Sequence, residues 1–224
     1  MALHRQTFPV GLLGCNCTIV ACAETREALV VDPGDEAPAI LAALARDGLE
    51  AVRIVHTHAH FDHVMATAAV ATATGAEVLV HRDDRWLYDN TLMQIRAFGV
   101  ERPDGRPWTP PPPPTRELVG GEALAFGRRE AQALHTPGHT PGSVCFYCDG
   151  GGGETPVLFA GDTLFKGSIG RTDLWGGSLP AIKASIRDKL LTLPDDTIIV
   201  PGHGPETTVA AEREDNPFVG KFAG

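Results

Sequence analysis

Three imidazoles and one carboxylate fall within six residues of the segment Thr57-His58-Ala59-His60-Phe61-Asp62-His63. The apolar run Ala51-Val52-Arg53-Ile54-Val55 leads straight into it. A strand that ends in such a cluster aims several donors at one place. Neutral imidazole and carboxylate are the donors that zinc and related divalent ions take. A catalytic ion of this kind keeps one position open for water, so four donors in one turn are more than a single ion uses. The spacing therefore points to two ions. A lone histidine is usually structural, but H-x-H-x-D-H is not the composition of an ordinary polar turn.

Three later segments repeat one grammar: apolar strand, small residue, metal-type side chain. Thr136-Pro137-Gly138-His139 frames a histidine in Pro and Gly. Leu158-Phe159-Ala160-Gly161-Asp162 ends a strand in an aspartate, and Val200-Pro201-Gly202-His203 ends another in a histidine. Glycine lets backbone approach a crowded site, and proline fixes the loop. Donors at four strand ends meet only if those ends share one edge of a sheet structure.

The set His58, His60, Asp62, His63, His139, Asp162 and His203 resembles the full ligand set of the metallo-β-lactamase superfamily. The stretch from Gly161 to Asp173, GDTLFKGSIGRTD, is similar to the glyoxalase II (hydroxyacylglutathione hydrolase) branch in its short form, without a C-terminal helical domain. The resemblance runs from about Phe8 to Phe218. It implies a mixed α/β fold, the four-layer αββα sandwich. It also implies roles: His58, His60 and His139 around one ion, Asp62, His63 and His203 around the other, and Asp162 bridging both. A hydroxide shared by the ions would attack a thioester, with Asp62 orienting it or taking its proton. Two divalent ions are expected, zinc first, with iron or manganese as alternatives.

Bulk properties suit a compact enzyme. The 224 residues are 43% hydrophobic, enough for one sizeable core, and we expect a single domain over residues 1–224 because the donor segments must meet. The formal net charge of −9 opposes the phosphate-gripping surface a nuclease needs, so no nucleic-acid partner is expected. No apolar signal or membrane-length run opens or interrupts the chain. Cys15, Cys17, Cys22, Cys145 and Cys148 are an odd set. Cys145 and Cys148 are three apart on an expected strand and so face opposite sides, which disfavours a shared ion or disulfide. Reduced cysteines fit a cytoplasmic location.

Strands are expected at 6–10, 17–23, 27–31, 52–55, 77–80, 123–126, 130–135, 143–148, 157–160 and 197–200. Helices are expected at 37–47, 62–74, 84–98 and 179–191. Between them, residues 103–109 and the five prolines Pro110 to Pro114 read as a stiff linking loop. The glycine turn 149–153 joins two strands.

Other residues carry lesser expectations. Asp32 ends a strand and is placed to steady a ligand histidine. Asp62 also sits where a helix N-cap would sit. His56 and His135 read as structural. Lys166 and Arg171, in the loop after Asp162, are candidate substrate contacts, with Arg171 suited to a carboxylate.

A thiolate departs without a strong general acid, whereas an amide nitrogen must be protonated. Hydrolysis of a small-molecule thioester is therefore the leading expectation, and the glyoxalase II resemblance implies one like S-lactoylglutathione. The alternative is a persulfide dioxygenase of the same superfamily, a mononuclear iron enzyme with a similar Gly-Arg-Thr-Asp loop. A lactonase would carry a tyrosine where Phe165 stands.

Overall fold

The computed structural model describes residues 2–102, 105, 107–151 and 153–223. Pro103, Asp104 and Arg106 of the linking loop and Gly152 of the glycine turn lie outside the described residues, as do Met1 and Gly224.

The first sheet runs in order β1 (Leu3–Val10), β2 (Cys15–Cys22), β3 (Glu27–Val31), β4 (Glu50–Val55), β5 (Glu77–His81) and β6 (Arg116–Leu118). Its first three strands pair antiparallel, and β3 to β6 pair parallel. Between the parallel strands come α1 (Ala37–Arg46), α2 (Phe61–Val64), α3 (Thr67–Thr74), α4 (Arg85–Asp89) and α5 (Thr91–Phe98). The second half begins with β7 (Ala123–Phe126), β8 (Arg129–His135), β9 (Val144–Cys148) and β10 (Val157–Gly161). A small hairpin, β11 (Leu164–Phe165) and β12 (Ser168–Ile169), follows, then α6 (Leu179–Ser185). β13 (Ile198–Pro201), β14 (Thr207–Thr208) and α7 (Val209–Asp215) complete it. The second sheet has the order β14-β13-β10-β9-β8-β7.

Alternating side chains create the layers. On β2, Cys15, Cys17, Ile19 and Ala21 join a cluster with Ile40 and Leu44 of α1. Val20 and Cys22 point the other way, into a cluster with Phe126, Phe146 and Phe159 of the second sheet. On β10, Val157 and Phe159 enter that inter-sheet core, while Leu158 and Ala160 pack with Ile182 and Ile186 behind it. The result is helix, sheet, sheet, helix, the expected αββα sandwich. Cys145 and Cys148 fall in different clusters, and all five cysteines are buried and free. Among the described residues no helix is long and apolar enough to cross a membrane.

The helix from 62 to 74 is divided. The amide of Ala66 donates to the Pro33 carbonyl from the loop after β3, which breaks the run between α2 and α3. The helix from 84 to 98 is likewise divided at Asn90, whose side chain donates to the Trp86 carbonyl, while Gln94 Nε2 donates to the Leu87 carbonyl. The helix from 179 continues past Ser185 as a wider turn over Ile186–Leu190. The short strands β6, β11, β12 and β14 were not expected; two or three residues carry no periodic signal.

Candidate metal centre

Each donor segment leaves the C-terminal end of a strand. β4 delivers His58, His60, Asp62 and His63; β8 delivers His139; β10 delivers Asp162; β13 delivers His203. The loop after β4 is not regular structure, so its amides need other acceptors. Thr57 N donates to Asp32 Oδ1 at 2.7 Å, Ala59 N to Asp84 Oδ2 at 3.0 Å, and Phe61 N to Gln94 Oε1 at 3.1 Å. Gly202 is a requirement of the crowding. A Cβ there would lie 2.1 Å from Asp162 Oδ1 and 2.9 Å from His63 Cε1.

The seven residues gather into two groups. In one, the rings of His58, His60 and His139 stand mutually edge to face, with centroids 4.6 to 4.8 Å apart. His139 Nε2 lies 2.9 Å from His60 Nδ1. In the other, His63 Nε2 lies 3.3 Å from His203 Nε2, and Asp62 Oδ2 lies 3.6 Å from the His63 nitrogen and 3.3 Å from the His203 nitrogen. Asp162 stands between the groups. Its Oδ2 is 3.7 Å from His139 Nε2, and its Oδ1 is 3.6 and 3.8 Å from His63 and His203. Donors at 2.0–2.1 Å around a tetrahedral ion are about 3.4 Å from one another, so these spacings fit metal donors. Buried polar atoms normally have partners. His58 Nε2, His60 Nε2 and Asp162 Oδ1 are buried without a protein one. Both groups are therefore suited to divalent cations.

The far nitrogens of the rings are held as those of metal ligands usually are. His63 Nδ1 is 3.0 Å from Asp32 Oδ2, His139 Nδ1 is 2.8 Å from the Arg171 carbonyl, and His203 Nδ1 is 3.0 Å from the Leu13 carbonyl. His58 Nδ1 meets Thr57 Oγ1 at 3.1 Å. Asp32 thus steadies a histidine as expected, from a left-handed backbone (φ 50°) unusual for a residue other than glycine.

The two groups differ electrostatically in the metal-free chain. Burial, reinforced by neighbouring imidazoles, holds His58 well below the usual histidine range and His60 at about 3. Burial also opposes charge on His63 and His203, but both are raised: His63 by Cys15 and then by Asp62, Asp162 and Asp32, His203 by Asp62 and Asp162. Asp62 is lowered; its burial is outweighed by His63 and His203.

The rival role for Asp62 as an N-cap is not realised: the N-cap of α2 is His60, and Asp62 faces the histidines. His56 is structural, bonded to Thr67 and set against Tyr88. His135 Nε2 donates to the Pro141 carbonyl at 2.9 Å, and its ring stacks on His81 at 4.1 Å with an 18° interplanar angle. With Asp83 these two form another His/Asp group. Near-parallel rings do not aim their in-plane lone pairs at one point, unlike the edge-to-face set above. The Arg171 guanidinium lies 54% exposed and bonds both oxygens of Asp173, while its main chain reaches His139. Lys166 is exposed between β11 and β12, beside Gly167, whose amide donates to Glu212.

Several supports escaped the sequence reading. Asn16 donates its side-chain amide to the Pro201 and Gly204 carbonyls and so grips the loop of His203. Leu13 and Arg171 act through main-chain carbonyls, which carry no side-chain signal. Gln94 and Asp84 looked like helix residues. Asp84 did have a signal: it follows a strand in the same manner as the donors.

The sequence model of the Metallo-beta-lactamase superfamily matches residues 10–203. Hydroxyacylglutathione hydrolase GloC of Haemophilus influenzae is 35% identical, over 97% of this chain and 98% of its own. Among solved structures, the BLEG-1 B3 metallo-beta-lactamase superposes with a TM-score of 0.84 at 38% identity, covering 96% of this chain and 99% of its own. A di-iron-bound form of TTHA1623 gives 0.83 at 40% identity, covering 95% and 99%. The αββα layers, the converging strand ends and these matches agree: the chain belongs to the metallo-β-lactamase superfamily.

Proposed function

We propose that this chain is a thioester hydrolase working with two divalent ions, one at His58, His60 and His139, the other at Asp62, His63 and His203, with Asp162 serving both. The observation that carries the reading is the division of Asp162, one carboxylate oxygen toward each histidine group. Bound there, divalent ions supply Lewis acidity and lower the pKa of a water toward neutrality.

The chain's own groups do the rest. Asp62, held ionised, is placed to accept the proton of the attacking water. His203 is 27% exposed and marks the side open to solvent. Asp32, the Leu13 carbonyl and the Arg171 carbonyl fix the rings so that the geometry exists before substrate arrives. Among the described residues no lysine or tyrosine side chain hydrogen-bonds into the cluster. That suits a thiolate, which leaves unprotonated, better than an amine. The similarity to GloC supports the same substrate class, with Arg171 and Lys166 as the candidate contacts for an anionic thioester.

Two further readings have an observation behind them. The similarity to BLEG-1 favours a β-lactam substrate. The similarity to a di-iron-bound protein favours iron, the metal of the dioxygenase alternative, although that alternative would hold a single ion in a set such as His58, His139 and Asp162. One experiment separates the three: metal-replete protein is given S-lactoylglutathione, a chromogenic β-lactam, and glutathione persulfide in an oxygen cell. Thioester turnover without oxygen uptake is expected. Oxygen uptake with the persulfide and no thioester turnover would overturn the reading, as would turnover of the β-lactam alone.

A further inference from the structure

Asp84 is a fully buried carboxylate whose hydrogen bonds, among the described residues, come from main-chain amides and a hydroxyl. It follows β5 in the short turn Arg82–Asp84. Burial pushes its carboxyl up, against the hydrogen bonds it accepts. Those bonds go to two places. Oδ2 accepts from Ala59 N at 3.0 Å and from Thr140 Oγ1 at 2.7 Å; Oδ1 accepts from Gly142 N at 2.6 Å. Ala59 sits between His58 and His60 in the loop of the first sheet. Thr140 follows His139 in the loop of the second. One carboxylate thus joins the two loops that present His58, His60 and His139; the first of these loops also carries Asp62 and His63, but Asp84 hydrogen-bonds to neither.

The surroundings are shaped for this contact. A Cβ on Gly142 would lie 2.6 to 2.8 Å from Asp84 N, Cβ and Cγ, so glycine at 142 is what admits the carboxylate. Thr140 is further aligned by Ser143, whose Oγ accepts from Thr140 N at 3.0 Å. Asp32 has the matching place in the other group, where it holds His63 and Thr57.

We infer that Asp84 is a positioning residue that sets the mutual placement of His58, His60 and His139, and so the cation affinity of that group alone. The chemistry explains the residue type. Three donors converge, and only a carboxylate offers acceptors to all of them. Asparagine would turn an NH2 toward a donor, which leaves a buried polar group unpaired. Groups that orient metal ligands typically change affinity by about 10–100-fold when removed.

The inference rests on the two-ion reading, and its test keeps the two apart. Zinc affinity is measured by competition with a chromophoric chelator in two backgrounds, His203→Ala, which keeps the His58 group, and His58→Ala, which keeps the His203 group. Asp84→Asn is expected to weaken zinc about 10–100-fold in the first background and less than about threefold in the second. Thr140→Val removes one of the three bonds and spares the carboxylate, so it serves where Asp84→Asn does not fold. It is expected to weaken zinc several-fold in the first background only. Unchanged affinity in the first background, or equal loss in both, overturns the role of Asp84. Failure of the unsubstituted chain to bind a second zinc overturns the two-ion reading instead.

Discussion

The two histidine groups share Asp162 but are prepared differently. His58 and His60 are buried and held neutral, already in the form that binds a cation. His63, beside Cys15 and the carboxylates, and His203, beside the carboxylates, are raised, so in the metal-free chain they tend to hold protons that a cation must displace. The first group is fixed by Asp84 and the Arg171 carbonyl, the second by Asp32 and the Leu13 carbonyl. The lesson is that similar donors on either side of one shared carboxylate can differ in protonation before any cation arrives.

Removing the shared residue should erase the distinction. Asp162→Ala is expected to lower kcat by roughly a hundredfold or more, beyond the loss for His203→Ala, because misplacing reacting groups by even 1 Å costs that much. Paired kinetics and metal analysis check this; near-normal turnover with both ions retained would exclude the bridging role. Asp32→Asn should act mainly on the second group, where Asp32 meets His63 directly, and less on the first, which it reaches only through Thr57 and His58. It is expected to weaken metal at the second group about 10–100-fold and at the first by a smaller factor. Chelator competition reads the result, and a loss confined to the first group would reverse the comparison.

The difference in ionisation predicts a pH dependence of stability. His56 is pushed down to about 4 and His60 to about 3, in each case first by burial. Their unfolded value is near 6.5. Below it the unfolded chain binds protons that the folded chain does not. Stability of the metal-free protein should therefore fall from pH 6.5 toward 4, by roughly 1 kcal/mol per pH unit for each histidine. His63 and His203 are raised, so their contribution is complete below 6.5 and is lost only as pH rises through their folded values. Denaturant melts at pH 6.5, 5.5 and 4.5 test this; a flat or rising stability would contradict it.

The smallest effect is expected at Arg171. Its guanidinium is exposed and engaged with Asp173, and such surface pairs contribute little. Arg171→Ala should leave metal content unchanged, since the carbonyl to His139 survives, and should raise KM for an anionic thioester several-fold with little change for a neutral one. Steady-state kinetics on the two substrates decide it. Equal losses would mean that Arg171 supports the loop rather than recognising an anion.

How much of this was legible in the sequence depended on what kind of group does the work. Donors on side chains were readable, because His58 to His63 are dense and each of His139, Asp162 and His203 ends an apolar strand. Asp32 was readable for the same reason. The layers followed from alternation, as on β2 and β10. Main-chain groups were not readable: the carbonyls of Leu13 and Arg171 could belong to any residue. Asn16 supports a loop 185 residues away in sequence, a pairing that only the fold creates. The helix break at Ala66 arises from a tertiary hydrogen bond to Pro33 that overrides local propensity, whereas the one at Asn90 carries a local bond from its side chain to the Trp86 carbonyl. The polyproline segment Pro110 to Pro114 leads into β6 without entering the sheet itself.

The central claim is that both groups hold an ion and that turnover needs both. Zinc is titrated into metal-free protein while bound metal and thioester hydrolysis are followed together. The account predicts saturation at two ions per chain, with activity appearing mainly as the second is bound. Saturation at one ion per chain with full activity would contradict it.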